Sequence, residues 1–222
     1  MLRYSIILTL LTFGLVSYGQ SDPLKGLTIN VIGDSYVANH KAPKEQSWHA
    51  KVAKMHGMTY NNYGRNGNCV AFDRDRFGKA MITRYTQMTD SADIILVIAG
   101  HNAATMIGDN ADSLRIFEKC LDSLFYALRE KYPDGHIGYV TPWYLATKGF
   151  KPVVKVIRRM CRKHSVPLLD NYKKSSVIKV RDAEFRRRYF QSPTDTAHLN
   201  DSGHDLFLPI GEQFIISLVT KP

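Results

Sequence analysis

The sequence predicts an α/β fold in which a parallel sheet is covered by helices on both faces. Short apolar stretches of strand length alternate along the chain with longer amphipathic stretches of helix length. The stretch 93–99 is continuously apolar after its first residue, which is typical of a strand buried on both faces. No repeat, low-complexity tract or Gly/Ser linker divides residues 21–222, which we therefore predict to form one domain.

Five strands are predicted from short runs bounded by turn residues. The first ends in a Gly-Asp-Ser turn, and the fourth is stopped by Pro142. The second is the most polar and leads into a loop rich in Gly and Asn, residues 63–68. The predicted strands are 27–33, about 58–61, 93–99, 136–141 and 166–170.

Four helices are predicted between and after these strands. In 112–131 the apolar residues recur at three- and four-residue steps, which defines one buried face. Pro209 lies within the last helix, where it either kinks the helix or marks its true first turn. The predicted helices are 44–56, 112–131, 153–163 and about 201–219.

The composition is that of a folded globular protein, since 44% of the 222 residues are hydrophobic and 23% are charged. The formal net charge of +10 is compatible with binding to nucleic acid or to another polyanion. No nucleic-acid-binding motif accompanies this charge, so we interpret the basic clusters as solvated faces and predict no nucleic-acid partner. The clusters are Arg158, Arg159, Arg162 and Lys163, and Arg186, Arg187 and Arg188.

Residues 1–19 are predicted to be a secretory signal peptide. A basic start, an apolar run from Ser5 to Val16 and small residues before Gln20 are its usual parts. The run is shorter than the roughly 20 residues that span a membrane; a retained anchor or a buried first helix are the alternatives. No cysteine directly follows the run, which argues against a lipid anchor. We therefore expect a secreted or periplasmic protein with no stable membrane anchor.

The three cysteines, Cys69, Cys120 and Cys161, are not spaced as zinc ligands, and no metal site is predicted. In an oxidising compartment two of them can form a disulfide. Three unpaired and partly buried thiols are at least as good an interpretation. The sequence leaves this choice open.

Candidate catalytic residues follow three of the predicted strands, at the carboxyl ends where ligands bind in folds of this class. Ser35 follows the first strand, Gly67 lies in the loop after the second, and Asn102 follows the third. A serine hydroxyl is a candidate nucleophile, whereas a glycine N–H and a carboxamide are candidate donors to an oxyanion. Each of these residues alone is equally compatible with an ordinary turn or helix cap.

Asp195 and His198 lie three residues apart before the last helix. A serine nucleophile needs a base such as histidine, and a carboxylate fixes the orientation of that base. His101 and His204 are the alternative bases. His101 is adjacent to Asn102 and is predicted to line the pocket, whereas His204 lies in the last helix and is predicted to pack or to face solvent.

Together these segments resemble the four blocks of the SGNH (GDSL-like) hydrolase family. The resemblance implies a three-layer α/β/α sandwich, like flavodoxin, around about five parallel strands. It also implies a carboxylic ester hydrolase that needs no metal or organic cofactor. The residues around the first two blocks resemble those of a branch of the family found in Bacteroidetes. The matching blocks are Gly33-Asp34-Ser35, Gly67, Gly100-x-Asn102 and Asp195-x-x-His198.

Carried over residue by residue, the resemblance implies a catalytic triad of Ser35, Asp195 and His198. It implies an oxyanion hole formed by the N–H groups of Ser35 and Gly67 and by the side chain of Asn102. One position departs from the family pattern, because Ala103 replaces the Asp that usually follows the block asparagine. We expect this replacement to leave Asn102 less firmly held.

The expected substrates are esters of short acyl groups, above all acetyl groups on polysaccharides. Trp143 and Tyr144 follow the fourth strand and are candidates for a platform beneath a sugar ring; a Trp packed under a loop is the alternative. A glycan-binding module without activity and an O-acyltransferase of the same fold are the alternative functions. The sequence predicts neither the oligomeric state nor whether residues 171–192 cover the site.

Overall fold

The computed structural model describes residues 21–173 and 177–220. The predicted signal peptide, residues 1–19, lies outside the described residues. The described chain forms a sheet of five parallel strands in the order β2-β1-β3-β4-β5, numbered along the chain. The strands are β1 (Thr28–Gly33), β2 (Thr59–Gly64), β3 (Ile94–Ile98), β4 (His136–Val140) and β5 (Leu168–Leu169).

Eight α-helices occur in the described part of the chain, with short 3₁₀ helices at Lys44–Gln46 and Tyr85–Gln87. None of the helices among the described residues is both long and apolar enough to cross a membrane. The helices are α1 (Ser35–Ala38), α2 (Trp48–Met55), α3 (Met81–Arg84), α4 (His101–Ile107), α5 (Ala111–Lys131), α6 (Phe150–Lys163), α7 (Ala183–Tyr189) and α8 (Asp201–Thr220).

The helices form a layer on each side of the sheet. In one layer α2 packs against α8, and these helices contact β2 and β4 respectively. In the other layer α5 and α6 pack together, and α4 contacts both of them. The predicted three-layer α/β/α sandwich with a five-stranded parallel sheet is confirmed.

The hydrophobic periodicity of the sequence accounts for the centre of this sandwich. All five residues of β3 are buried, because the strand lies in the middle of the sheet with a helical layer on each side. Helix α5 turns one apolar face to the core, as its three- and four-residue spacing predicts. The buried residues of that face are Phe117, Leu121, Leu124, Phe125 and Leu128.

Several details differ from the sequence prediction: helix α6, for example, begins at Phe150, three residues earlier than predicted, and β5 spans only Leu168–Leu169. Strand β2 continues to Gly64, into the predicted loop, because its backbone pairs with β1 as far as Gly33. The helix predicted at 44–56 is divided at Ser47 into a 3₁₀ turn and α2. Helix α8 runs through Pro209, which is therefore not its first turn. The sequence does not predict the short helices α1, α3, α4 and α7.

The strand register brings the functional loops together. Gly33, at the end of β1, is paired with Gly64 of β2 on one side and with Ile98 of β3 on the other. Parallel strands end at the same edge of a sheet, so the segments that follow these three residues meet there.

Candidate active site

Ser35 is the first residue of α1, directly after the turn that ends β1. Asp34 is the N-cap of this helix, and its Oδ1 accepts the N–H of Tyr36 at 3.0 Å. The first N–H groups of a helix have no partner within the helix, so the Ser35 N–H is available to a developing negative charge. Ser35 is only 7% exposed.

The three residues of the predicted triad lie in hydrogen-bonding order. His198 Nε2 is 2.8 Å from Ser35 Oγ, and His198 Nδ1 is 2.9 Å from Asp195 Oδ2. Although Ser35 and His198 are far apart in sequence, the imidazole bridges the hydroxyl and the carboxylate through its two ring nitrogens. This is the arrangement in which a histidine can take a serine proton while a carboxylate holds its tautomer.

The carboxylate of Asp195 is fixed by its own loop. Its Oδ1 accepts the main-chain N–H groups of Ala197 at 2.7 Å and His198 at 2.9 Å. Burial alone would raise the pKa of Asp195, but the hydrogen bonds from the His198 ring and from these N–H groups outweigh it and lower the pKa to about 2. The carboxylate is therefore ionised throughout the physiological pH range.

The loop that carries Asp195 and His198 is closed by backbone pairing at its base. The N–H of Gln191 donates to the carbonyl of His198 at 2.9 Å, and Phe190 forms an antiparallel bridge with Leu199. We call residues 190–199 the triad loop. Its base is held by main-chain bonds, so its position does not depend on side chains alone.

Trp143 lies beneath the triad loop and does not form a sugar platform. The residue is 4% exposed, and its indole N–H donates to the carbonyl of Thr196 at 3.0 Å. Its ring packs edge-on against Tyr36 at 4.8 Å. The platform predicted at Trp143 is therefore wrong, because a buried ring has no free face for a ligand. The alternative interpretation, a Trp packed under a loop, is the one observed.

Tyr144 is partly exposed and belongs to a different cluster. Its ring lies 5.3 Å from that of Tyr172, and the Arg181 guanidinium carbon is 4.5 Å from its centroid. A cation over one face and a second ring beside it leave Tyr144 less accessible for stacking than the sequence predicts. Tyr172 and Arg181, from the segment after β5, therefore contribute to this cluster.

The two alternative bases are placed elsewhere. His204 is buried, with Nε2 2.9 Å from Asn39 Oδ1 and Nδ1 3.2 Å from the main-chain nitrogen of Trp48. Burial lowers its pKa to about 4, so it is a neutral packing residue. His101 begins α4 with its ring 6.0 Å from that of Tyr36, and burial likewise lowers its pKa to about 4.

His40 is a neighbour of the triad that the sequence does not predict. Its ring is stacked on that of His198, with 4.0 Å between centroids and 13° between planes. His40 and the preceding Asn39 have positive φ angles of 47° and 60°, a region that residues other than glycine seldom adopt. This conformation brings the His40 ring over the His198 imidazole.

Asn102, in the first turn of α4, is hydrogen-bonded to Asp34, the residue before Ser35. Its side-chain amide donates to Asp34 Oδ2 at 3.2 Å and to the carbonyl of Asn68 at 3.0 Å. Both of its N–H groups have acceptors, so donation to an oxyanion requires one of these bonds to be exchanged. Asn102 is held without a carboxylate at position 103, contrary to our expectation, and Ala103 is fully buried.

Asp34 is fully buried and directly precedes Ser35. Burial raises its pKa to about 7, although its carboxylate accepts hydrogen bonds from Tyr36 and Asn102. The protonation state of the group that holds Asn102 therefore changes near neutral pH.

Gly67 lies in the loop after β2 with a φ of 69°. A Cβ there would be 2.4 Å from the ring of Phe77, so the position requires glycine on steric grounds alone. The Gly67 carbonyl accepts a hydrogen bond from Arg74 at 2.6 Å. Its neighbour Asn68 is bonded to Asn102, so the predicted oxyanion donors lie on segments that are directly connected.

Arg84 connects the ends of β1 and β2 with the loop that carries Gly67. It is a second site residue that the sequence does not predict. This buried arginine donates to the carbonyls of Gly33 at 3.3 Å and Tyr63 at 3.1 Å, and to Asn68 Oδ1 at 3.0 Å. Burial lowers its pKa from the ordinary value. Its guanidinium thus ties the ends of β1 and β2 to the loop of Gly67.

The remaining sequence predictions concern metals, thiols and charge. Within the described residues, no group of three or more His, Cys, Asp or Glu could hold a metal ion, and Cys69, Cys120 and Cys161 are free thiols. Much of the basic cluster on α6 is ion-paired with carboxylates. The pairs are Arg158 with Asp170, Arg159 with Glu118 and Lys163 with Asp122.

Comparison with known proteins identifies the family. Residues 31–206 match the model of the GDSL-like lipase/acylhydrolase family, which covers all four of the predicted blocks. The chain belongs to this family. As a family member it is a carboxylic ester hydrolase. No curated protein sequence matches the chain.

Solved structures share the fold of this family member. A protein from Lactobacillus plantarum has a TM-score of 0.73 at 21% identity, with 87% of this chain and 97% of that chain covered. A protein described as a GDSL-like lipase from Bacteroides ovatus has a TM-score of 0.63 at 15% identity, with 86% and 98% covered. A family two carbohydrate esterase from Clostridium thermocellum, solved with cellohexaose, has a TM-score of 0.63 at 14% identity, with 86% and 64% covered.

Proposed function

We propose that this protein is a serine esterase in which Ser35, His198 and Asp195 form the catalytic triad. The observation that carries the proposal is the pair of contacts made by one imidazole, 2.8 Å to Ser35 Oγ and 2.9 Å to Asp195 Oδ2. Ser35 attacks the ester carbonyl while His198 takes its proton, and the imidazolium is stabilised by the ionised carboxylate. Protonation of the leaving alcohol by His198 gives the acyl-enzyme, which water then hydrolyses by the reverse proton path.

The oxyanion is held by donors on the three loops that meet at the sheet edge. The N–H of Ser35 and the N–H of Gly67 are two donors, and the Asn102 amide is the third once it exchanges one of its present acceptors. Asp34 is the acceptor more readily given up, since its bond to Asn102 is the longer of the two. Loss of one such donor typically lowers kcat by about 10²- to 10³-fold.

We propose short acyl groups, in particular acetyl groups on carbohydrate, as the substrates. The narrow cavity that Ser35 and His198 line has a volume of about 10 Å³, which is room for about one water molecule and not for a long acyl chain. The carbohydrate esterases among the structures of similar fold are consistent with a sugar as the alcohol component. The predicted signal peptide supports a secreted protein, which would meet such polymers outside the cell.

The test is hydrolysis of a series of chromogenic esters, from acetyl to long acyl, by the wild-type protein and Ser35→Ala. We expect hydrolysis of the short esters, and a loss of at least about a thousandfold in kcat in the variant because the nucleophile is absent. Ser123→Ala, at an exposed position on α5, is the matched control and should retain full activity. Equal activity of Ser35→Ala and wild type would refute the triad, and no hydrolysis by wild type would favour a glycan-binding module.

A further inference from the structure

A groove of about 600 Å³ opens beside the triad and has an unusual charge. Two segments form its walls: the turn after α1 and the loop after β2 together with the hairpin that follows it. Its main polar and aromatic residues are His40, Lys44, Arg65, Asn66, Arg76 and Phe77, and we call it the cationic groove. Neither Asp nor Glu is among its lining residues.

The cationic groove begins at the catalytic imidazole. His40 lines the groove and is stacked on His198 with 4.0 Å between ring centroids. The side-chain amide of Asn66 donates to the carbonyl of His40 at 3.2 Å, which links the two walls. Arg65 and Asn66 directly precede Gly67, so the wall of the groove continues into the loop that carries this proposed oxyanion donor.

The cations of the groove lack carboxylate partners. Lys44, Arg65 and Arg76 are exposed, and none of them is within 4.0 Å of a carboxylate among the described residues, not even the adjacent Glu45 and Asp75. The basic residues of α6 behave differently, since Arg158, Arg159 and Lys163 are all ion-paired. Unpaired cations that converge on one groove give it a positive potential, which attracts an anionic ligand.

The guanidinium groups are held in place by the wall itself. A Cβ at Gly78 would lie 2.5 Å from Cζ of Arg65, so the absence of a side chain there makes room for the guanidinium. The Arg76 guanidinium carbon is 5.6 Å from the centroid of the Phe77 ring. The hairpin is closed by a bridge between Arg74 and Gly78, and Arg74 donates to the carbonyl of Gly67. This restraint lowers the entropic cost of binding.

We propose that the cationic groove binds a carboxylate of the substrate, so that the ester is carried on an acidic carbohydrate such as a polymer of uronic acids. The proposal rests on the proposed function of the triad. Guanidinium groups bind carboxylates through paired hydrogen bonds, and those of Arg65 and Arg76 have no such partner within the described chain. A neighbouring acidic sugar unit would occupy the groove while the ester lies at Ser35.

The experiment compares two acetylated oligosaccharides of equal length and acetyl content, one of uronic acids and one of neutral sugars. For the wild type we expect a higher kcat/KM on the acidic substrate, with a preference that declines as salt screens the charges. In Arg76→Gln and Arg65→Gln the ratio of the two kcat/KM values should fall by up to about fivefold each, the size of a typical exposed ion pair. Arg76 is the more peripheral of the two, so its variant tests the idea if Arg65→Gln folds poorly.

The matched control is Arg129→Gln, which also removes one exposed positive charge. Arg129 lies near the end of α5, donates to the carbonyl of His164 and does not line the groove, so the ratio should be unchanged. Equal kcat/KM values on the two substrates, with no effect of Arg76→Gln on their ratio, would overturn the groove proposal and leave the esterase standing. A wild type inactive on both substrates and on simple esters would instead overturn the proposed function.

Discussion

A single carboxylate performs two tasks in the triad loop. One oxygen of Asp195 accepts the His198 ring N–H, and the other accepts the main-chain N–H groups of Ala197 and His198. The same contacts that orient the imidazole therefore also shape the backbone on which it is mounted. In an Asp195→Asn variant, the side-chain amide keeps one acceptor oxygen. Its NH₂ group replaces the other oxygen and faces an N–H donor, with which it cannot form a hydrogen bond.

The lowered pKa of Asp195 predicts a pH dependence of stability. The pKa of this carboxyl is near 3.8 in the unfolded chain and about 2 in the folded protein, so its ionised form stabilises the fold. This contribution is complete above the unfolded pKa and is lost as the pH falls through 3.8 toward about 2. We expect the difference in unfolding free energy between wild type and Asp195→Asn to be greatest above pH 5 and to shrink toward pH 2.

Urea unfolding at a series of pH values measures this difference. Asp134→Asn, in the exposed turn before β4, serves as the control for the loss of a surface carboxylate. A difference that stays constant with pH, or that grows as the solution is made more acidic, contradicts the assignment of the lowered pKa to Asp195.

Single residues of the site differ in how far the sequence reveals them. Ser35, Asp195 and His198 are recognisable because each has a defined chemical role and a short motif around it. His40, Asn68 and Arg84 lack such motifs, and their contacts are made across the fold; Arg84, for example, bonds to the carbonyl of Gly33, 51 residues away. The burial of the Trp143 ring likewise depends on tertiary packing, which the spacing of residues in the sequence does not reveal.

Among the elements, α3 has an importance out of proportion to its four residues. It presents Arg84 to the carbonyls that end β1 and β2 and to the side chain of Asn68. Asn68 in turn accepts the Asn102 amide through its own carbonyl. A helical turn on one side of the sheet thereby sets the positions of three loops at its edge.

We predict that Arg84→Lys lowers both stability and kcat. Lysine keeps the charge but lacks the planar fork, so it leaves a buried acceptor on Tyr63 or Asn68 without its donor, whereas the Gly33 carbonyl keeps the N–H of Arg65. Each such acceptor costs about 1–3 kcal/mol, and 1 kcal/mol shifts Tm by roughly 2–4 °C in a chain of this size. Thermal unfolding and ester kinetics measure the two effects, with Arg129→Lys as the control. Wild-type Tm and kcat in Arg84→Lys would show that α3 does not position the loops.

Element prediction succeeded where the pattern is long and failed where tertiary contacts decide. Strand β3 and helix α5 have continuous or periodic apolar residues that no other structure satisfies. Helices α1, α3, α4 and α7 have four to seven residues, too few to establish a period, and are held by their caps and neighbours. Strand β2 is polar because it lies at the edge of the sheet, which obscured its true end.

At the scale of the whole molecule, the fold contains three thiols and does not rely on a disulfide. Cys69 and Cys161 are buried and Cys120 is partly buried, and all three are free. Burial raises the pKa of each thiol, to about 12 for Cys161, which disfavours the reactive thiolate. The sequence left open a disulfide between two of them, and the described fold favours three separate thiols.

We therefore predict that a reducing agent leaves the Tm of the purified protein unchanged. A thiol titration of the unfolded protein should count three thiols without prior reduction, and the folded protein should react slowly because the thiols are shielded. A lower count, or a Tm that falls on reduction, would indicate a disulfide. Ester hydrolysis under the same conditions shows whether any change reaches the active site.

The backbone pairing at the base of the triad loop limits how far a change in the preceding segment alters the loop. Phe190 and Leu199 are bridged, so the path of the backbone into His198 is fixed at that neck, and Arg186 of α7 adds a hydrogen bond to the carbonyl of Pro193 within the loop. Insertions, deletions and changes of composition upstream of α7 can accumulate over generations while the His198 imidazole keeps its position. The substrate preference of such a protein can thus change in evolution while the geometry of Ser35, His198 and Asp195 is retained.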